Sequence, residues 1–205
     1  FFNSNMYLLE LDHNGHFTAA RQFVNGSGFS GYTPGSITCD VGGSIYITGT
    51  FSGSNDFDPS AGTFNMTATT QNSFVLKLDP GMNFTWAKQF GNSNGSPASI
   101  KTDSYGNVYL SGKFSGTADF DPGPGTLNLS SGTATARNVF LLKVGPSGNI
   151  IWAKKMGGNQ DAIPTSYDID KSGTSYVTGV FSGTADFDPG AAVFNLAASG
   201  PNNCF

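Results

Sequence analysis

One nine-residue segment recurs three times along the chain. It reads Phe51-Ser-Gly-Ser-Asn-Asp-Phe-Asp-Pro59, then Phe114-Ser-Gly-Thr-Ala-Asp-Phe-Asp-Pro122, then Phe181-Ser-Gly-Thr-Ala-Asp-Phe-Asp-Pro189, with spacings of 63 and 67 residues. A period of this length restricts the fold to stacks of one supersecondary unit, because a single unit cannot bury both of its faces until copies pack against it. A second marker keeps the same period: Asn72-Ser-Phe-Val-Leu-Lys-Leu-Asp79, Asn138-Val-Phe-Leu-Leu-Lys-Val-Gly145 and a weaker copy, Asn5-Met-Tyr-Leu-Leu-Glu-Leu-Asp12. The 205 residues divide into repeats 5–71, 72–137 and 138–202, with 203–205 opening a fourth.

Within each repeat, short alternating or apolar runs are punctuated by turn residues, which is the signal of strands and hairpins. In the middle repeat the pattern predicts strands near 98–103, 107–114, 139–144 and 149–156. Tight turns are expected at 103–107 and 145–149, where Gly supplies positive φ and Asp, Asn and Pro preset turn geometry. The stretch 115–137 is then an excursion between the second and third strands, with a short extra strand at 126–129; 52–71 and 182–202 are its counterparts. Four antiparallel strands per repeat point to an all-β fold of β-propeller blades. Three blades do not close a ring of the usual four to eight. Further blades are therefore expected, from a longer chain or from several chains.

Composition agrees and excludes some functions. The chain has 28 Gly and 18 Phe but only 12% charged residues, which suits turns and sheets more than solvated helices. A net charge of -4 and a pI near 4.8 argue against nucleic acid as a partner, since phosphate binding needs a basic stripe. No apolar run approaches the roughly 18 residues of a membrane-spanning helix, and the opening residues show no leader pattern. Cys39 and Cys204 fall at different places in their repeats and form no repeated disulfide or zinc framework.

The sharpest candidates for chemistry are the paired aspartates of the recurring turn: Asp56 and Asp58, Asp119 and Asp121, Asp186 and Asp188. Two carboxylates two residues apart can converge on a hard cation, with carbonyls and water completing the shell that calcium takes. Calcium is thus the one cofactor the pattern suggests. The alternative is that each Asp caps its turn while Phe57, Phe120 and Phe187 anchor it. A second threefold acid, Asp40, Asp103 and Asp170, precedes a turn and reads as a cap, as do Asp12 and Asp79. Only Glu10, Asp161 and Asp168 of the 14 acids stand outside these sets. His13 and His16 flank an Asn14-Gly15 turn and read as solvated. No catalytic order of Ser, His and Asp is visible, and no enzyme is expected. Trp86 and Trp152 read as packing between blades, with stacking on sugar as the alternative; Gly49, Gly112 and Gly179 read as close packing.

The run 106–123, Gly-Asn-Val-Tyr-Leu-Ser-Gly-Lys-Phe-Ser-Gly-Thr-Ala-Asp-Phe-Asp-Pro-Gly, followed by Phe-Leu-Leu-Lys at 140–143 and Gly-Asn-Ile-Ile-Trp-Ala-Lys at 148–154, resembles the SBBP-type bacterial β-propeller repeat. The first repeat departs from it at Ala19, where the others carry Trp86 and Trp152. The resemblance implies a secreted or surface-exposed protein, and hence an extracellular scaffold for adhesion, protein interaction or surface assembly. Its partners would be other proteins or surface glycans, or further copies in self-assembly. The alternatives are a carbohydrate-binding or carbohydrate-cleaving propeller and a filament-forming structural protein.

Overall fold

The computed structural model describes residues 4–26, 31–92, 94–201 and 203–205. Residues 1–3, part of the opening segment read for a leader, lie outside the described residues. Among the described residues every regular element is a strand and there is no helix. A hairpin, β1 (Met6–Leu11) and β2 (Phe17–Phe23), precedes a four-stranded antiparallel meander of β3 (Gly31–Cys39), β4 (Ile45–Asp56), β5 (Asn65–Leu78) and β6 (Phe84–Phe90). The next meander takes β7 (Ser96–Thr102) and β8 (Val108–Phe114), sets aside β9 (Thr117–Asp119) and β10 (Asn128–Ser130), and continues with β11 (Asn138–Val144) and β12 (Ile150–Gly158). A third begins with β13 (Ala162–Ile169) and β14 (Ser175–Phe181), sets aside β15 (Thr184–Asp186) and β16 (Asn195–Ala197), and resumes at β17 (Asn203–Cys204).

The four main strands of the middle repeat lie within two residues of their expected ends. The extra strand is displaced to Asn128–Ser130, and its partner Thr117–Asp119 has no expectation behind it. Sheets and repeats are out of phase. The first complete sheet spans 31–90, so its last two strands lie mainly in the repeat that begins at residue 72.

Turn chemistry explains the hairpins. The third and fourth strands of each sheet are joined through a left-handed position that is Gly15, with φ of 82°, and Gly148, with φ of 81°, in two copies. In the remaining copy Met82 takes it at φ of 59°, a conformation costly for a residue with a Cβ, and its side chain is buried in the core. The first strands carry Pro34, Pro97 and Pro164, each followed by a bulge and each opposite Gly49, Gly112 or Gly179. Proline is tolerated because these are edge strands of their sheets. A Cβ at Gly112 would meet the Ser96 carbonyl and the Phe140 ring, which supports the close-packing reading of these glycines.

Each complete sheet is apolar on both faces. Along β5, Phe74, Leu76 and Leu78 face one side, packed with Met6, Leu8 and Phe23 of the preceding hairpin. Val75 and Tyr46 face the other, packed with Phe140, Leu142 and Val144 of the next sheet. The pattern repeats one step on, where Tyr109, Val139 and Leu141 pack with Tyr167 and Phe181. Strands sandwiched between neighbours read as near-continuous apolar runs, and stacking is what buries them.

Candidate functional site

The three excursions fold as short hairpin arms. In the first, β4 and β5 run on past a bulge at Ser52/Gly53 and pair from Gly53–Ala68 to Asp56–Asn65. In the others the arms are β9–β10 and β15–β16. The Asp-Phe-Asp-Pro turn closes each arm in the same way. Asp119 Oδ1 accepts hydrogen bonds from the amides of Asp121 (3.0 Å) and Leu127 (2.8 Å), and Asp121 Oδ1 accepts one from Gly123 (2.7 Å). Asp56 binds the amides of Asp58 and Phe64, and Asp186 those of Asp188 and Phe194; Asp58 and Asp188 cap Ser60 and Gly190. The first carboxylate thus spans the whole loop, while the second makes a local turn. Asp186 is held below the ordinary carboxylate range by the Phe194 amide first, then by the Asp188 amide.

The phenylalanine between the two acids points inward. Phe57 and Phe120 are fully buried, and Phe187 is half-buried. Phe120 meets Phe140 at 4.9 Å, Phe114 at 5.2 Å and Phe90 of the preceding sheet at 6.1 Å between ring centroids. Phe57 makes the same set with Phe51 and Phe74, and Phe187 with Phe181 and Phe205. The resulting aromatic triads tie every arm to the second and third strands of its own sheet.

Each arm also joins the last strand of the sheet before it. Gly157 pairs with Asp186 and Gly158 with Ala185, which draws β15 and β16 into one sheet with β12. One repeat earlier the bridge is Gly91–Asp119, with the Gly91 amide 2.6 Å from the Asp119 carbonyl; one earlier still it is Asn25–Asn55. A Cβ on Gly26 or Gly158 would collide with the carbonyl of Ser54 or Thr184. In the middle copy Asn92 stands at that place, and its side-chain amide donates to the Ser115 and Thr117 carbonyls at 3.1 and 2.8 Å. The sequence pattern marked these stretches as excursions with a short extra strand and did not foresee the inter-sheet stitch. The signal was present in the pairs Asn25-Gly26, Gly91-Asn92 and Gly157-Gly158, at a strict spacing of 66 residues.

At the opposite end of the strands the other recurring acids are turn caps. Asp40, Asp103 and Asp170 each accept two backbone amides on Oδ1. Asp12 and Asp79 do the same in the other hairpins. Burial alone would push the Asp103 carboxyl up, but hydrogen bonds from Asn107, Tyr105 and the Tyr109 hydroxyl outweigh it and hold the group below its ordinary range. A cross-strand row builds on that acid. Tyr109 donates to Asp103 at 3.1 Å, Lys143 Nζ lies 4.6 Å from the Tyr109 centroid, and Trp152 meets Tyr109 edge-on at 6.2 Å. Tyr46, Lys77 and Trp86 repeat the row, and Trp86 Nε1 donates to the Pro146 carbonyl of the next sheet at 3.0 Å. The tryptophans therefore pack between sheets.

Of the acids outside the repeat, Asp161 pairs with Arg137, whose Nε donates at 3.0 Å, and Asp168 pairs with Lys101 at 3.2 Å. Glu10 lies exposed on β1. His16 sits beside Asp12 in an exposed turn, and Cys39 and Cys204 are free thiols. Among the described residues no three His, Cys, Asp or Glu side chains converge. What varies from copy to copy is the arm tip. It reads Pro59-Ser-Ala-Gly-Thr63, Pro122-Gly-Pro-Gly-Thr126 and Pro189-Gly-Ala-Ala-Val193 on an otherwise constant frame.

No protein-family model matches the chain. The chain is similar to an uncharacterized WD repeat-containing protein of Acanthamoeba polyphaga mimivirus, at 28% identity over 158 residues. The match takes in 71% of this chain and 11% of that relative, so the chain spans a small part of the relative's length.

Proposed function

We propose that the chain is a run of β-propeller blades, built of the repeats 5–71, 72–137 and 138–202, that serves as a non-catalytic interaction scaffold. One observation carries the reading. Three arms share one frame, fixed by an inward-pointing Phe, a loop-spanning Asp and a stitch to the neighbouring sheet, while their exposed tips differ in sequence. Rigid frames that present variable tips are how scaffolds recognise partners without large ordering losses. Likeness to a WD repeat-containing protein supports the propeller and a protein partner. The SBBP-type assignment and a place outside the cell or on its surface rest on the sequence resemblance. Calcium at the six paired aspartates belongs to the same proposal as an added support for the turns. The pairing of Asp161 and Asp168 with Arg137 and Lys101 favours a structural use of the acids that break the repeat.

The test is a paired screen of the chain against protein and glycan arrays, with a hydrolysis assay on any saccharide that binds. Protein ligands lost on exchanging the tip 122–126 for Gly-Ser, with the far-UV spectrum unchanged, are the expected result. Tight binding of soluble glycans that is lost in Trp152→Ala, or turnover of one, would overturn the reading.

A further inference from the structure

The outward face of each arm carries a further threefold residue. Asn65, Asn128 and Asn195 stand on the returning strands of the three arms, each opposite the loop-spanning acid: Asn65 pairs with Asp56, Asn128 with Asp119 and Asn195 with Asp186. Successive side chains of a strand point to opposite faces, so the residue two places on shares the face of the asparagine. In the first two arms that residue carries a hydroxyl, giving Asn65-Met66-Thr67 and Asn128-Leu129-Ser130. Asparagine and hydroxyl are exposed in both, while Met66 and Leu129 between them pack against the core clusters. Neither asparagine spends its side-chain amide on a hydrogen bond among the described residues. Thr67 and Ser130 make one 3.2 Å contact each, Thr67 to the Ser54 hydroxyl and Ser130 from the Gly132 amide. Turn capping accounts for the acids of the arm and leaves the two asparagine side chains without a structural task.

We propose that Asn65 and Asn128 are acceptors of N-linked oligosaccharide. Asn-x-Ser/Thr is the sequence that such transfer requires, on a surface site of an exported chain. The inference rests on the extracellular reading and deepens it. The donor is a polyprenyl diphosphate-linked oligosaccharide, brought by the transferase of the export route. The amide nitrogen forms a bond to the anomeric carbon, the C–O bond to the diphosphate breaks, the polyprenyl diphosphate leaves with the bonding pair, and the amide gives up one proton; nothing is oxidised or reduced. A glycan is bulky and hydrated, and on the outward face of an arm it displaces no packed side chain.

The fold separates these two from the other three Asn-x-Ser/Thr triplets. Asn83 holds both oxygens of Asp79 with its side-chain amide, at 3.1 and 2.9 Å, and is committed to the turn. Asn94 lies in the crossover between two sheets, followed by the buried Gly95 and Pro97. Asn25 is half-buried in the bridge to Asn55, and its Ser27 lies outside the described residues. The third arm is a natural control. Asn195-Leu196-Ala197 keeps the strand, the pairing and the exposure but has no hydroxyl at the third place.

Peptide mapping of the protein from its own source, after release with a peptide N-glycosidase in heavy-oxygen water, reads the outcome. Heavy-oxygen aspartate is expected at positions 65 and 128 and ordinary asparagine at 195. Ser130→Ala should abolish the label at 128 and keep it at 65, and Ala197→Thr should create it at 195. Unmodified Asn65 and Asn128 in protein recovered outside the cell would overturn the sites and leave the extracellular reading standing. Protein recovered only inside the cell, unmodified, would overturn that reading and the sites with it. A label at 128 that survives Ser130→Ala would also overturn the assignment.

Discussion

Replacing Phe120 by alanine removes the ring that anchors the middle arm while leaving its two capping aspartates in place. The side chain is at 1% exposure and touches three other aromatic rings, two of its own sheet and one of the sheet before. Emptying a fully buried phenylalanine site costs about 3–5 kcal/mol, and the spread reflects how far the surroundings collapse. Here collapse is restrained, because the arm is fixed on one side by the Gly91–Asp119 bridge and on the other by the Asn138 side chain of β11, which donates to the Ser131 carbonyl. The upper half of that range is expected. For a chain of this size each kcal/mol lowers the unfolding midpoint by about 2–4 °C, so Phe120→Ala should lose about 8–20 °C in a calorimetric scan. Phe187→Ala provides the internal control. Its ring is half-buried, so the loss should be about 1–2 kcal/mol. Equal midpoints for the two variants, or a Phe120→Ala loss below about 1 kcal/mol, would refute the idea that the arms are locked by their central phenylalanine.

Asp119→Ala strips the loop-spanning acceptor from two amides and is expected to cost about 1–3 kcal/mol in urea unfolding, with Asp119→Asn costing less because one acceptor oxygen survives. If calcium supports the turns as proposed, the melting midpoint should fall in chelator relative to excess calcium, with Asp119→Asn/Asp121→Asn indifferent to calcium; one and the same midpoint throughout would leave the paired acids to loop capping alone. Asp40, Asp79, Asp103, Asp161, Asp170 and Asp186 titrate below the ordinary value of 3.8 in the folded chain. The stability they contribute is therefore complete above that value and lost as pH falls through their lower folded values, so the midpoint should be flat near neutrality and drop below about pH 4, less steeply in Asp103→Asn. Gly158→Ala places a Cβ against the Thr184 carbonyl and should lower the midpoint, whereas Gly200→Ala, which meets nothing, should not.

The main strands were legible because each carries its own local signal. Short apolar runs mark β8 and β11, and an Asp followed by Gly within four residues marks most of the turns between strands. Turn capping by Asp103 and inter-sheet packing of Trp86 followed from residue type alone, and the Pro146 carbonyl that receives the Trp86 indole N–H bears out the packing. Three-residue strands such as β9 carry too few residues to show a period, so its pairing with β10 had to be seen. The stitch between arm and preceding sheet joins residues such as Gly91 and Asp119, whose approach depends on how two sheets stack and not on either segment's propensity. The Arg137–Asp161 pair was hidden for the same reason, as neither residue repeats and 24 positions separate them. The differing tips can be read from the residues alone, yet they acquire meaning only beside the frame the three arms share.

Native-state amide hydrogen exchange at Gly91, Phe120 and Leu127 tests the central claim most directly, since these donors hold the middle arm to the preceding sheet, to itself and to the Asp119 carboxylate. If the arms are rigid frames, the three amides exchange within about tenfold of the Leu141 and Leu142 amides in β11 and lose protection together in Phe120→Ala. Exchange at the rate of an open loop, with β11 still protected, would contradict the account and make the excursions loops without a fixed frame.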